Sequence, residues 1–336
     1  MRRVYSLTMK FGAFVPQGWR LDLVGIATED HWPTILGVAN QAEGLGFESV
    51  WVYDHFHTVP EPTQEATYEA WTLMAALAAT TDTIRLGQMC TCNGYRSPSY
   101  LAKVAASIDV ISGGRLDMGI GGGWYEHEYN AYGYQFPKPS VRLGELDEAV
   151  QIMIKMWTEA EASFDGKHYS IDGAICQPKP IQNPHIPMWV AGGGEQLTLR
   201  TAARYADYTN FGSTVDTFSH KRTVLEGHCE RLGRDPSEIT MSSSLNVIIG
   251  TDEADVARRH AGIRDRFAAT LSDADRTMDR WFGDQQAAVG TPDQLIEQMA
   301  AYRDAGCGYL ILNFPDSAID STSMALFASE VMPELR

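Results

Sequence analysis

Short apolar runs alternate with helical periodicity along most of the chain, and that alternation limits the fold more than any other feature. Residues 11–16 (FGAFVP) read as a strand and 31–46 as a helix stopping at a glycine. Residues 49–53 (SVWVY) form a continuous β-branched and aromatic run, as expected of a strand buried on both faces. A helix is expected at 68–80 and a strand at 84–91. Ser97 and Pro98 are placed to cap and open a helix that Gly113 and Gly114 close, followed by a strand at 115–121.

Residues 141–157 put Leu143, Leu146, Val150, Met153, Ile154 and Trp157 on one stripe. The rhythm breaks at about 162–181, where Asp165-Gly166 lies between β-like runs, and we read a hairpin insertion rather than a domain boundary. It resumes with strands at 186–191, 208–211, 239–249 and 309–313, and helices at 195–205, 215–232, 292–305 and the C-terminus. Residues 252–282 read as one long helical region. Eight strand-plus-helix units without a dinucleotide fingerprint fit an α/β fold, a (β/α)8 TIM barrel spanning residues 1–336, better than a doubly wound sheet.

Composition removes several function classes. The 336 residues carry 27 basic and 43 acidic side chains, a net charge of −16. That balance argues against a nucleic-acid partner and against an anionic membrane surface. No apolar run approaches the roughly 20 residues of a membrane span, and MRRVYSLTMKFGAF lacks the sustained apolar core of a secretory signal. Five scattered cysteines make a disulfide framework improbable and a reducing cytoplasm the default.

Barrel enzymes bind ligands over the C-terminal strand ends, so the residues following each strand carry the functional expectation. After the second strand come Asp54, His55, Phe56 and His57. His55 is the candidate for acid–base work because imidazole titrates near neutrality, the alternative being a hydrogen-bonded structural histidine. His57 reads as a solvated loop residue. After the third strand, Cys90 and Cys92 share a strand face with no second ligand pair, so they read as small core residues and no metal is expected. After the fourth, Gly119, Gly121 and Gly123 miss the Gly-x-Gly-x-x-Gly spacing and instead suit a planar ring lying against backbone. After the fifth, Gly192, Gly193 and Gly194 precede a helix, an arrangement that can hold a phosphate through converging N–H groups.

These segments carry a family likeness. FGAFVP, GFESVWVYDHF, LGQMCTCNGYRSPSYLAKVAASIDVISGGRLDMGIGGGWYEHEYNAYG, RLGELDEAVQIMIKMW, IPMWVAGGGEQLTLRTAARYADYTNF and YRDAGCGYLIL occur in the expected order over nearly the whole chain. The chain resembles the luciferase-like monooxygenase superfamily, and within it actinobacterial oxidoreductases using the deazaflavin coenzyme F420. The resemblance implies a homodimer, and it places His55 near the reactive face of the ring, with Asp54 beside it. It aligns Met89–Cys90 with a non-prolyl cis peptide behind the ring. Thr91 and Asn93 would line the ring edge, Gly121, Gly122, Trp124 and Tyr125 would contact the cofactor, and Gly192–Gly194 would take its phosphate.

One departure limits the carry-over. Members that oxidise a sugar phosphate have a glutamate directly after the Gly-x-Gly of the fourth strand, where this chain has Trp124, with Glu126 and Glu128 further on. Sugar-phosphate oxidation is therefore not expected. The aromatic set Trp19, Trp51, Tyr53, Phe56, Trp124 and Tyr125 suits a flat apolar small-molecule substrate, although Trp51 fits barrel packing equally. The expected activity is hydride transfer between F420 C5 and such a substrate, as reduction of an activated C=C or C=N. An FMN-dependent monooxygenase and a non-catalytic flavin- or F420-binding protein are the alternatives.

Overall fold

A computed structural model describes residues 8–212, 214–283 and 287–336. Residues 1–7, the start of the segment read against a secretory signal, lie outside the described residues. Twelve strands occur among the described residues. They are β1 (Lys10–Phe14), β2 (Ser49–Val52), β3 (Arg85–Gln88), β4 (Thr91–Cys92), β5 (Leu116–Gly121), β6 (Ala162–Asp165), β7 (Ser170–Ala174), β8 (Met188–Ala191), β9 (Tyr208–Asn210), β10 (Thr240–Ile249), β11 (Ala287–Gly290) and β12 (Tyr309–Asn313). Backbone contacts group the chain into two compact units. Of the described residues, the first takes those within 8–68, 211–222 and 240–336, and the second those within 69–210 and 223–239.

In the first unit the strands run parallel in the order β2, β1, β12, β10, β11. β2 and β12 are buried at every residue, as their uninterrupted apolar character requires. Trp51 is fully buried between strands, where its indole N–H donates to Ser49 Oγ at 2.5 Å and that hydroxyl meets Tyr309 OH at 2.5 Å. It fills the strand interior and does not belong to the aromatic mouth. β11 is a strand the sequence reading does not contain: AAVG is short and carries one β-branched residue. It pairs with Asn246–Ile249, the end of β10, which overlaps the stretch bonded to β12 only at Asn246. The long helical region is two helices, Glu253–Ala268 and Ala274–Phe282. Asp252 and Asp273 each cap one by accepting a backbone N–H, and Asp273 starts the second helix after the break.

In the second unit β3, β5, β8 and β9 run parallel, and β4 continues β3 along β5. The helix Pro139–Thr158 buries Leu146, Val150, Met153 and Trp157, while Leu143 stays half-buried. Ser97 precedes Pro98 as expected, yet its hydroxyl faces Ser99 Oγ at 3.1 Å and caps no backbone N–H. β6 and β7 pair antiparallel around a turn at 166–169. Glu148 fastens that turn by accepting the N–H groups of Lys167, His168 and Tyr169 at 2.8–3.0 Å.

Candidate active site

The strand after the helix Ala70–Thr80 is interrupted where the resemblance places a cis peptide, and Met89–Cys90 is cis. Gly87 pairs with Asp117 and Thr91 with Ile120, so three residues on this side span two in β5. The extra residue is a bulge that ends one ladder and re-aims the next side chains. Thr91 turns inward and donates to Gln88 Oε1 at 2.8 Å, leaving buried Gln88 Nε2 with no acceptor. Asn93 donates through Nδ2 to Tyr169 OH at 3.2 Å, and its Oδ1 is buried with no donor. A donor and an acceptor are thus left unmet within six residues, in a place where each orphan costs about 1–3 kcal/mol.

The glycine run after β5 answers to a different demand from the one read from sequence. A Cβ on Gly121 would come within 2.6 Å of Cys90 Sγ, and one on Gly122 within 2.8 Å of Leu143 Cδ2. Gly123 has φ +74°, and its Cβ would run into Tyr129 OH. Tyr129 is buried, with its phenol 2.9 Å from Cys92 Sγ and its ring 4.9 Å from those of Tyr95 and Phe136. Burial, then the neighbouring Cys92, pushes this phenol far above its ordinary titration range. The protein's own packing therefore requires these glycines. Beyond them Trp124 is 57% exposed and stacks on half-buried Tyr125 at 5.0 Å.

Gly192–Gly194 do not open the helix directly. It starts at Thr198, after a turn at 195–197. The N–H of Gly192 is used, donating to Asn210 O at 2.8 Å. Those of Gly193 and Gly194 donate to no atom of a described residue. Leu143, expected from the sequence only as part of the apolar stripe at 141–157, sits against both glycine runs, with Cδ1 3.9 Å from the Cβ position of Gly194. Its half-buried place on the helical stripe was the available signal.

In the first unit, Asp54 and His55 follow β2 and are both buried. The His55 ring lies parallel to Trp19, 2° apart in tilt and 4.2 Å between centroids. Trp19 also packs on Tyr53 at 4.2 Å, and Tyr53 stacks on Phe14 at 4.1 Å. Burial pushes the Tyr53 phenol upward, the cation of Arg20 draws it partly back, and Asp22 opposes that. Arg20 was not singled out from sequence, because one arginine in a loop has no local pattern.

The donors and acceptors around the bulge fit a flavin-type ring. Its pyrimidine edge carries N–H and C=O groups that Asn93 Oδ1 and Gln88 Nε2 would satisfy, and two bare N–H groups at Gly193 and Gly194 suit a phosphate. Among the described residues no group of three or more His, Cys, Asp or Glu could hold a metal ion. No described helix is long and apolar enough to cross a membrane.

Residues 9–308 match the family model described as luciferase-like monooxygenase. The chain belongs to this family. Its fold class is therefore the (β/α)8 barrel of that family. Pyrimidine monooxygenase RutA of Stutzerimonas stutzeri is 29% identical in an alignment of 304 positions that covers 87% of this chain and 80% of that protein. An F420-dependent glucose-6-phosphate dehydrogenase of Nocardia farcinica is 28% identical in an alignment of 327 positions that covers 90% of this chain and 94% of that protein. An F420-dependent secondary alcohol dehydrogenase, solved with an F420-acetone adduct, superposes at a TM-score of 0.77. It shares 20% identity over 98% of this chain and 100% of that one, a likeness of fold. The luciferase-like family thus includes oxidoreductases of both the F420 and the monooxygenase kind.

Proposed function

We propose that this luciferase-like protein is an F420-dependent oxidoreductase acting on a small, flat organic substrate, by reduction of an activated C=C or C=N. When bound, the deazaflavin supplies hydride exchange at C5, and the protein supplies binding, orientation and electrostatics. The observation that carries the reading is the pair of unmet polar atoms, Gln88 Nε2 and Asn93 Oδ1, on either side of the Met89–Cys90 bulge. Asn93 Oδ1 accepts a ring N–H and Gln88 Nε2 donates to a ring carbonyl. Thr91 keeps the Gln88 amide oriented by donating to its Oε1. Gly193 and Gly194 bind phosphate oxygens through their N–H groups, and Gly192 serves by its φ of +118° rather than by its used N–H. Trp124 and Tyr125 offer a stacked apolar surface. His55, held flat by Trp19, donates a proton to the substrate atom next to the one that receives hydride.

The relatives that use F420 over about nine-tenths of this chain support the deazaflavin. Trp124, standing where sugar-phosphate oxidisers have glutamate, supports a different substrate from theirs. A second reading, an FMN-dependent monooxygenase, is supported by the pyrimidine monooxygenase relative. A homodimer in a reducing compartment completes the proposal, and the five free thiols agree with the latter.

Parallel fluorescence titration of the apoprotein with F420 and FMN tests the choice. Tight F420 and weak FMN binding supports the first reading, and the reverse preference supports the second. Binding of neither overturns both and withdraws the phosphate role of Gly193 and Gly194.

A further inference from the structure

The segment after β1 carries a cation that no described carboxylate neutralises. The guanidinium carbon of Arg20 lies 5.2 Å from the ring centroids of Trp19 and Tyr53 and 5.1 Å from that of Trp281. Three aromatic faces strip water from the charge and return only part of what hydration gave. Arg20 forms no ion pair with any described carboxylate. The contrast with Arg259 of the same unit is sharp: it reaches Asp255, Asp316 and Asp320. With 43 acidic residues against 27 basic ones, carboxylates were available.

The guanidinium is also aimed. Nη1 donates to Asn246 Oδ1 at 2.6 Å. That oxygen accepts a second bond from Asn313 Nδ2 at 3.0 Å, and Asn246 Nδ2 donates to Trp281 O at 2.8 Å, so the amide is locked. Holding Nη1 leaves the edge formed by Nε and Nη2, whose two parallel N–H groups match the two oxygens of a carboxylate. Nη2 donates to no atom of a described residue, and Nε is buried without an acceptor. Trp19 Nε1, the neighbouring donor, is buried without one too. An outside acceptor would complete all three.

We propose that Arg20 is a substrate-anchoring residue that binds a carboxylate through Nε and Nη2, so that the substrate class is a planar organic acid. The word substrate rests on the oxidoreductase reading above; the anion site itself does not. A monoanion fits better than a phosphate dianion because Arg20 offers one open guanidinium edge, whose two N–H groups match two oxygens. The acid group would be held beside Trp19, on whose other ring contact, His55, the proton transfer is proposed to depend.

The test uses the full chain, with benzoate, its neutral isostere benzamide and inorganic phosphate as probes, by calorimetry or ligand-observed NMR. Benzoate should bind more tightly than benzamide to the wild type. Arg20→Gln should weaken benzoate by at least about tenfold, the loss of a charge-assisted pair, and leave benzamide unchanged. Arg20→Lys keeps the charge without the planar fork, and should lose several-fold for benzoate, which covers the case in which the glutamine variant fails to fold. Equal affinity of the wild type for benzoate and benzamide, or benzoate binding indifferent to both variants, overturns the proposal. Phosphate binding more tightly than benzoate overturns the carboxylate assignment. F420 titration of the same three proteins separates the claims: unchanged F420 affinity with lost benzoate binding supports Arg20 as an anchor. Benzoate behaving as expected while neither F420 nor FMN binds leaves the anion site standing and removes the oxidoreductase reading.

Discussion

Replacing Gly123 by alanine is expected to destabilise the protein without cofactor, by an amount that two neighbouring substitutions apportion. Gly123 has φ +74°, where an L-residue costs about 1–2 kcal/mol. Its Cβ would also enter the space of Tyr129 OH and approach Cys92 Sγ to 2.7 Å. Neither neighbour can retreat easily, because Tyr129 is 1% exposed and wedged between Tyr95 and Phe136. Overpacking of that kind adds about 1–3 kcal/mol, for a total of about 2–5 kcal/mol. Gly25 has φ +84° with nothing within 4 Å, so Gly25→Ala reports the backbone cost alone. Gly122 lacks the positive φ and meets the end of half-buried Leu143, which can rotate away, so Gly122→Ala should cost less than Gly123→Ala. Urea unfolding of the apoprotein, followed by tryptophan fluorescence, reads all three. With a slope of roughly 3 kcal/mol per molar, Gly123→Ala should lower the midpoint by about 1 M. A midpoint equal to that of Gly25→Ala would refute the packing argument. Normal apoprotein stability combined with lost cofactor affinity would return the glycine to the role of ring contact.

Three further outcomes follow from the same geometry. Asn93→Ala should weaken F420 binding by about tenfold, one hydrogen bond at a buried edge, in fluorescence titration; unchanged affinity would remove Asn93 from the ring site. His55→Ala should cut turnover by about 10²–10⁴-fold on whichever enone, quinone or imine acceptor a screen yields, with F420 affinity near the wild-type value. An unchanged turnover number would sink the proton-donor role. Burial raises the Glu148 carboxyl, but the N–H groups of His168, Lys167 and Tyr169 outweigh it and hold it below the ordinary carboxylate range. A depressed carboxylate stabilises above its unfolded pKa, and that contribution vanishes as pH falls through the folded value. Amide protection at 167–169 should therefore drop between about pH 5 and pH 3 in the wild type and stay flat, at a lower level, in Glu148→Gln. Identical pH dependence in the two proteins would refute the link.

Much of this molecule is legible without coordinates, for a physical reason. Strand and helix each leave a local hydrophobic period, so β12 begins and ends where the apolar run YLILN does. Features that depend on a contact distant in sequence leave no such trace. β11 is a strand because the overhanging end of β10 offers it a ladder, and AAVG alone has too little β-branched character to announce it. Trp51 reads equally as mouth or core, and the Ser49 hydroxyl and the small Gly12 alongside decide for core.

The candidate site divides in the same way. Position after a strand end was enough to select His55 and the two glycine runs, because barrel chemistry gathers there, while Asn93 came from the family resemblance. What those residues do was decided by partners far along the chain. Tyr169 takes one side of Asn93 and leaves the other unmet, and Tyr129 claims the space beside Gly123. Asn246, 226 residues from Arg20, sets which edge of the guanidinium stays open. Sequence by itself determined the succession of elements and the family, since both are written in local composition and order. The tertiary structure alone decided which polar atoms are left without partners, because satisfaction of a hydrogen bond belongs to a pair of groups and not to a residue.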